Sequence, residues 1–104
     1  MELSQNETLI EEIKGDYWEK IFLCMYSQKR GKYWISNERI VFKGGFITEF
    51  EVKLSEIESV TPCLVGPLIP FMPTGVNLKL KNGKSYKMSV LKRKKIIETI
   101  KNLI

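Results

Sequence analysis

The chain has 104 residues and 12.1 kDa, the size of one domain, and its 43% hydrophobic and 28% charged residues exclude a disordered chain. It has no His and only two Cys, Cys24 and Cys63, far apart in sequence, which excludes a disulfide framework, a Cys/His zinc site and every His-dependent nucleophilic triad. The net charge of +5 and pI near 9.3 allow an anionic partner without demanding one.

The charge is unevenly spread. Residues 1–20 hold Lys14 and Lys20 against six acids, whereas residues 79–104 hold nine Lys or Arg against Glu98 alone. Met1-Glu2-Leu3 lacks the basic, apolar start of a signal peptide, so a cytoplasmic location is expected. Residues 59–78 carry no charge, but all four prolines, Pro62, Pro67, Pro70 and Pro73, fall inside them, which argues against a spanning helix.

In chain order, Ser4-Gln5-Asn6-Glu7 fits a capping box, with Leu9, Ile10 and Ile13 at helical spacing and Gly15 as the stop. This predicts a short N-terminal helix over residues 5–14, within a leading helical segment 1–16 ahead of a main domain 17–104. Ile21–Tyr26 reads as the first strand, and Ser27-Gln28-Lys29-Arg30 as its exit loop. Gly31–Ser36 and Arg39–Phe42 read as a hairpin turning at Asn37-Glu38, because Asn tolerates the left-handed backbone such turns use. Trp34 faces away from Tyr33 and Ile35, and Trp18 is expected to pack the leading segment onto the sheet. Gly44-Gly45 marks the next turn.

Thr48, Phe50, Val52 and Leu54 alternate with Glu49, Glu51 and Lys53, the period-two pattern of a strand with one dry face. Ile57 and Val60 are the core positions of a short fifth strand. A proline-rich loop, Pro62–Pro73, follows. Val76, Leu78 and Leu80 alternate with polar residues, as do Tyr86, Met88 and Val90, across the hairpin signal Asn82-Gly83. Leu91–Ile104 reads as an amphipathic helix with Ile96, Ile97, Ile100, Leu103 and Ile104 on one side.

The expected layout is mainly β: seven antiparallel strands, each with one apolar face, so that the sheet folds over on itself and the last helix plugs an open corner. Three segments carry a resemblance. Gly31-Lys-Tyr-Trp-Ile-Ser-Asn-Glu-Arg-Ile-Val-Phe42 is similar to a strand pair of the pleckstrin-homology-like superfold, in its GRAM-type and bacterial PH-like members. Leu54-Ser55-Glu56-Ile57-Glu58-Ser59-Val60 and Gly75–Tyr86 resemble its later segments. The resemblance implies a seven-stranded PH/GRAM-like open barrel of two near-orthogonal sheets, capped by the C-terminal helix. That superfold hosts lipid, peptide and self-association sites, so the fold leaves the function open.

No catalytic constellation, metal set or cofactor cradle can be assembled, and a non-catalytic binding module is expected. In lipid-binding members of the superfold, the loops after the first, third and sixth strands surround one open end. Here those loops hold Lys29, Arg30 and Lys32, then Lys43, then Lys84, a set suited to an anionic membrane headgroup at the inner face of the membrane. The alternative is a protein-interaction or self-association module, a homo-oligomer included. It would use the apolar, proline-stiffened loop 63–73, through Leu64, Leu68, Ile69, Phe71 and Met72. Lys92-Arg93-Lys94-Lys95 opens the last helix with the wrong sign for its dipole. No aromatic residues interleave in it for base stacking, which argues against nucleic acid as its partner.

Overall fold

The computed structural model describes residues 3–22, 25–67 and 70–104. Seven strands precede one helix: β1 Leu9–Phe22, β2 Met25–Ser36, β3 Arg39–Gly44, β4 Ile47–Lys53, β5 Ile57–Val65, β6 Met72–Leu80, β7 Ser85–Ser89 and α1 Arg93–Leu103. All pairings are antiparallel, and the order across the sheet is β4-β3-β2-β1-β7-β6-β5. In place of the expected two near-orthogonal sheets there is one seven-stranded sheet, because β1 pairs along its length with β2 and, at Asp16–Trp18, with β7. The edges β4 and β5 do not pair with each other, so the sheet is not closed.

Residues 9–14, expected as a helix, are strand. Leu9, Glu11 and Ile13 pair with Ser36, Ile35 and Tyr33 of β2, and β1 runs unbroken past residues 16 and 17. The helical spacing of Leu9, Ile10 and Ile13 was coincidental: Ile13 packs on the core, whereas Leu9 and Ile10 are exposed. A partner strand of twelve residues satisfies the backbone groups there, and this tertiary pairing overrides the local pattern. The expected exit loop Ser27–Arg30 lies inside β2 for the same reason.

Gly15 does not end a helix. It faces Gly31 across the β1–β2 ladder, on the core side, where the sheet curls tightly. The Tyr33 ring lies over Gly15, and its hydroxyl donates to the Asp16 carbonyl at 2.6 Å. Gly31 in turn lets β3 approach: a Cβ there would sit 2.0 Å from the Lys43 carbonyl oxygen.

The hairpin at Asn37-Glu38 forms as expected, and the N-terminal segment clasps it. Asn37 exchanges bonds with Thr8, its amide donating to the Thr8 carbonyl and its Oδ1 accepting from the Thr8 amide. The Ser36 hydroxyl accepts from the amides of Glu38 and Arg39 and donates to the Glu7 carboxylate. That carboxylate has no exposed side-chain surface and takes a two-pronged ion pair from Arg39, at 2.9 and 3.0 Å. Arg39 and Ser36 hold the Glu7 pKa down at about 2.

The alternation expected for β4, β6 and β7 holds, with Phe50, Val52, Val76, Leu78, Leu80, Met88 and Val90 buried. Thr48 is exposed, because a bulge after Phe42 shifts the register at the start of β4. The turn at Asn82-Gly83 is a four-residue loop, with Gly83 at φ 92° and the Leu80 amide donating to the Lys84 carbonyl. The expected loop Pro62–Pro73 is shorter: β5 continues through Pro62 to Val65 and β6 starts at Met72. Pro62 is tolerated because β5 is an edge strand, with one side free of ladder bonds.

The core is formed by one face of the curled sheet and by Ile96, Ile97 and Ile100 of α1, which packs on β5 and β6. Ile104, expected on that side, is exposed at the helix end. Tyr17, Tyr33, Phe42, Phe50 and Tyr86 stack edge-on and face-on within the core. Among the described residues, no helix is long and apolar enough to cross a membrane.

Candidate functional site

Strand alternation puts Tyr33, Ile35 and Phe42 in the core and turns their neighbours Lys32, Trp34 and Lys43 to the outer face. On that face, register decides what meets. Lys14 of β1 lies directly opposite Lys32 of β2, and Lys32 lies opposite Lys43 of β3. Three lysines therefore stand in a row across three adjacent strands. Arg30, two residues along β2, adds a fourth cation on the same face.

These four side chains, with Trp34, Gly31 and Gly45, line a groove of about 440 Å³. That is the size of a small-ligand pocket. Trp34 forms its apolar wall, paired across the strands with the buried Val41, and the Lys43 ammonium lies 5.8 Å from the indole centroid. Little opposes the positive charge. Glu12 reaches Lys32 at 3.7 Å, a loose pair between exposed groups. Asp16 is opposite Arg30 in register, but its carboxylate accepts from the Gln28 amide at 2.7 Å. Lys14, Arg30 and Lys43 make no ion pair among the described residues.

Of the five expected basic residues, the structure brings together Arg30, Lys32 and Lys43. Lys29 points to the opposite face, the side of Gly31 and Tyr33, and is bonded to Glu49 at 2.8 Å and Glu19 at 3.5 Å. The Glu49 hydrogen bond raises its pKa, so its ammonium stays charged and is engaged by that carboxylate. Lys84 sits on the β6–β7 turn. Its neighbours Gly83 and Ser85 line a second cavity, of about 380 Å³, beside Lys20 and Tyr26 near the far end of β1. Along an extended strand, Lys14 and Lys20 are roughly 20 Å apart. Sequence reasoning missed Lys14, because it placed that residue on a helix.

The apolar loop divides similarly. Leu64 and Phe71 are exposed, at 49% and 65%, and Met72 is half-buried as the first residue of β6. Leu68 and Ile69 lie outside the described residues, as does Cys24. The Tyr26 amide donates to the Pro67 carbonyl, which ties the loop to the β1–β2 hairpin, where Ile21 and Met25 are also exposed. Cys63 is half-buried, and that burial raises its thiol pKa.

The basic start of α1 is partly answered within the chain: Lys95 pairs with Glu11 at 3.1 Å and Arg93 donates to the Cys63 carbonyl. No group of three or more His, Cys, Asp or Glu side chains that could hold a metal occurs among the described residues.

No protein-family model matches the chain, and no curated protein matches it. Among solved structures, it is similar to the C-terminal domain of an unknown protein from Leishmania infantum. The two share 14% sequence identity with a TM-score of 0.73, over 94% of this chain and 84% of that one. The likeness is one of fold: a mainly β, seven-stranded antiparallel sheet with a C-terminal helix.

Proposed function

We propose that this chain is a non-catalytic binding module, a PH/GRAM-like open barrel that associates peripherally with anionic lipid at the inner face of a membrane. In this reading the curl at Gly15 and Gly31 sets the two ends of the single sheet nearly at right angles. The observation that carries the proposal is the in-register row Lys14, Lys32 and Lys43, joined by Arg30. Like charges directly opposite on neighbouring strands destabilise a sheet. A row of three with one loose acidic partner is a cost that an anionic ligand would relieve.

The groove suits such a ligand chemically. Lysines offer rotatable donors, Arg30 offers a planar fork for phosphate oxygens, and Trp34 has the amphipathic ring that settles at a membrane interface. Each cation near an anionic bilayer contributes on the order of 1 kcal/mol. Four give roughly 4 kcal/mol before ordering costs, so the association is weak, reversible and sensitive to salt. Co-sedimentation with neutral and anionic vesicles tests this. Pelleting with anionic vesicles only, weakened by near-physiological salt, is expected. No pelleting under any condition would overturn it.

A second reading, a protein-interaction or self-association module acting through the 63–73 loop, is favoured by the exposure of Phe71 and Leu64, in a loop tied at Pro67 to the hairpin that exposes Ile21 and Met25. It predicts association that survives salt and is lost in Phe71→Ser.

A further inference from the structure

The turn between β3 and β4 follows directly on the groove. Gly45 lines the groove and supplies the positive φ of 69° that the turn needs. The next residue, Phe46, is fully exposed, and Ile47 after it is 66% exposed. Turn geometry does not call for either, since tips of this kind are ordinarily filled by Gly, Asn, Asp or Ser. Single exposed apolar residues are common on protein surfaces, but an adjacent aromatic–aliphatic pair at a hairpin tip presents far more apolar area than one scattered side chain. Among the described residues nothing covers the pair, and the groove beside it is lined by Lys14, Arg30, Lys32 and Lys43.

We infer that the Phe46-Ile47 tip is a membrane wedge: it enters the apolar boundary of an anionic bilayer while the adjacent groove holds the headgroups. The inference rests on the membrane reading of the groove. It commits to a bilayer because the tip and the cations are contiguous, and an anionic interface offers both complements side by side. Charge alone gives the weak adhesion estimated above. An aromatic side chain removed from water adds an increment that salt does not screen.

The test compares the wild type with Phe46→Ser on vesicles of phosphatidylcholine with and without phosphatidylserine, at low and near-physiological salt. Phe46 is fully exposed and outside the core, so the fold should be unaffected, and equal urea denaturation of variant and wild type checks this. The inference predicts about a tenfold weaker partition of Phe46→Ser onto the anionic vesicles, a ratio preserved as salt rises, and a further loss in Phe46→Ser/Ile47→Ser. Equal partition of the variant and the wild type would overturn the wedge while leaving the groove reading intact. Failure of the wild type to bind any vesicle would overturn both. A wild-type dimer in solution that Phe46→Ser dissociates would assign the tip to a second copy of the chain and likewise overturn the wedge.

Discussion

Replacing Gly31 with Ala adds one methyl group where the β3 backbone lies against β2. The new Cβ would stand 2.0 Å from the Lys43 carbonyl oxygen, 2.8 Å from its carbon and 3.0 Å from the Gly44 Cα. All three are backbone atoms, so no side chain can swing aside. To bring the first contact to even 3.0 Å, the strands must part by about 1 Å beside the Lys32–Lys43 pair. Overpacking of this kind costs about 1–3 kcal/mol, and each ladder hydrogen bond lost adds about 1 kcal/mol. A total near 3 kcal/mol lowers the melting temperature by about 12–24 °C for a domain of this size. Gly45→Ala is the control. It meets nothing within 4 Å, but its φ of 69° is unfavourable for a side chain, a cost of about 1–2 kcal/mol. Urea and thermal denaturation of both variants should rank Gly31→Ala as the more damaging. A Gly31→Ala protein as stable as Gly45→Ala would refute the close-approach account of this strand pair.

Acid should loosen the N-terminal clasp. The Glu7 pKa falls from 4.5 to about 2 on folding, so its stabilisation is complete above pH 4.5 and is lost as pH drops from there towards 2. Glu7→Gln should flatten that acid limb in pH-dependent denaturation, and an unchanged limb would contradict the clasp. At the alkaline end the sign reverses. Burial pushes Tyr17 up to about 12 and Tyr33 well above the usual 10, so the stabilisation from keeping both phenols neutral is complete below pH 10 and is lost as pH rises from there, through about 12 for Tyr17. Phenolate absorbance should show these two ionising only as the protein unfolds. Independent, early ionisation of all four tyrosines would count against the core packing.

The fold was legible in the sequence where one physical signal dominated. Strict alternation in β4, β6 and β7, and the Asn82-Gly83 turn, placed those strands because their pattern depends only on having one dry face. Residues 9–20 were illegible for the opposite reason. Leu9 and Ile10 are exposed, so no dry face marks β1 there, and what makes the segment a strand is twelve residues of β2 lying alongside it. That error had two consequences. It hid Lys14 from the basic cluster, and it read Gly15 as a helix stop when it is the inner corner of a curl. Lys29 and Arg30 look alike in a list of basic residues. Their adjacency in a strand sends them to opposite faces, one into an ion pair with Glu49 and the other into the groove. Phe46 and Ile47 were passed over because a glycine pair directly before them already accounted for the turn.

The central claim is that the in-register cations of the groove hold an anionic surface at some expense to the sheet. Lys43→Glu tests both halves at once. It puts an acid opposite Lys32, which should leave stability unchanged or raise it by about 0.2–1 kcal/mol. It also turns one attraction to the bilayer into a repulsion, about 2 kcal/mol, or a loss of about thirtyfold in partition onto phosphatidylserine vesicles. Lys84→Glu, with the same change in net charge but outside the groove, is the comparison. The account predicts a protein at least as stable as the wild type that no longer pellets with anionic vesicles, while Lys84→Glu still does. Equal binding by the two variants would contradict the account.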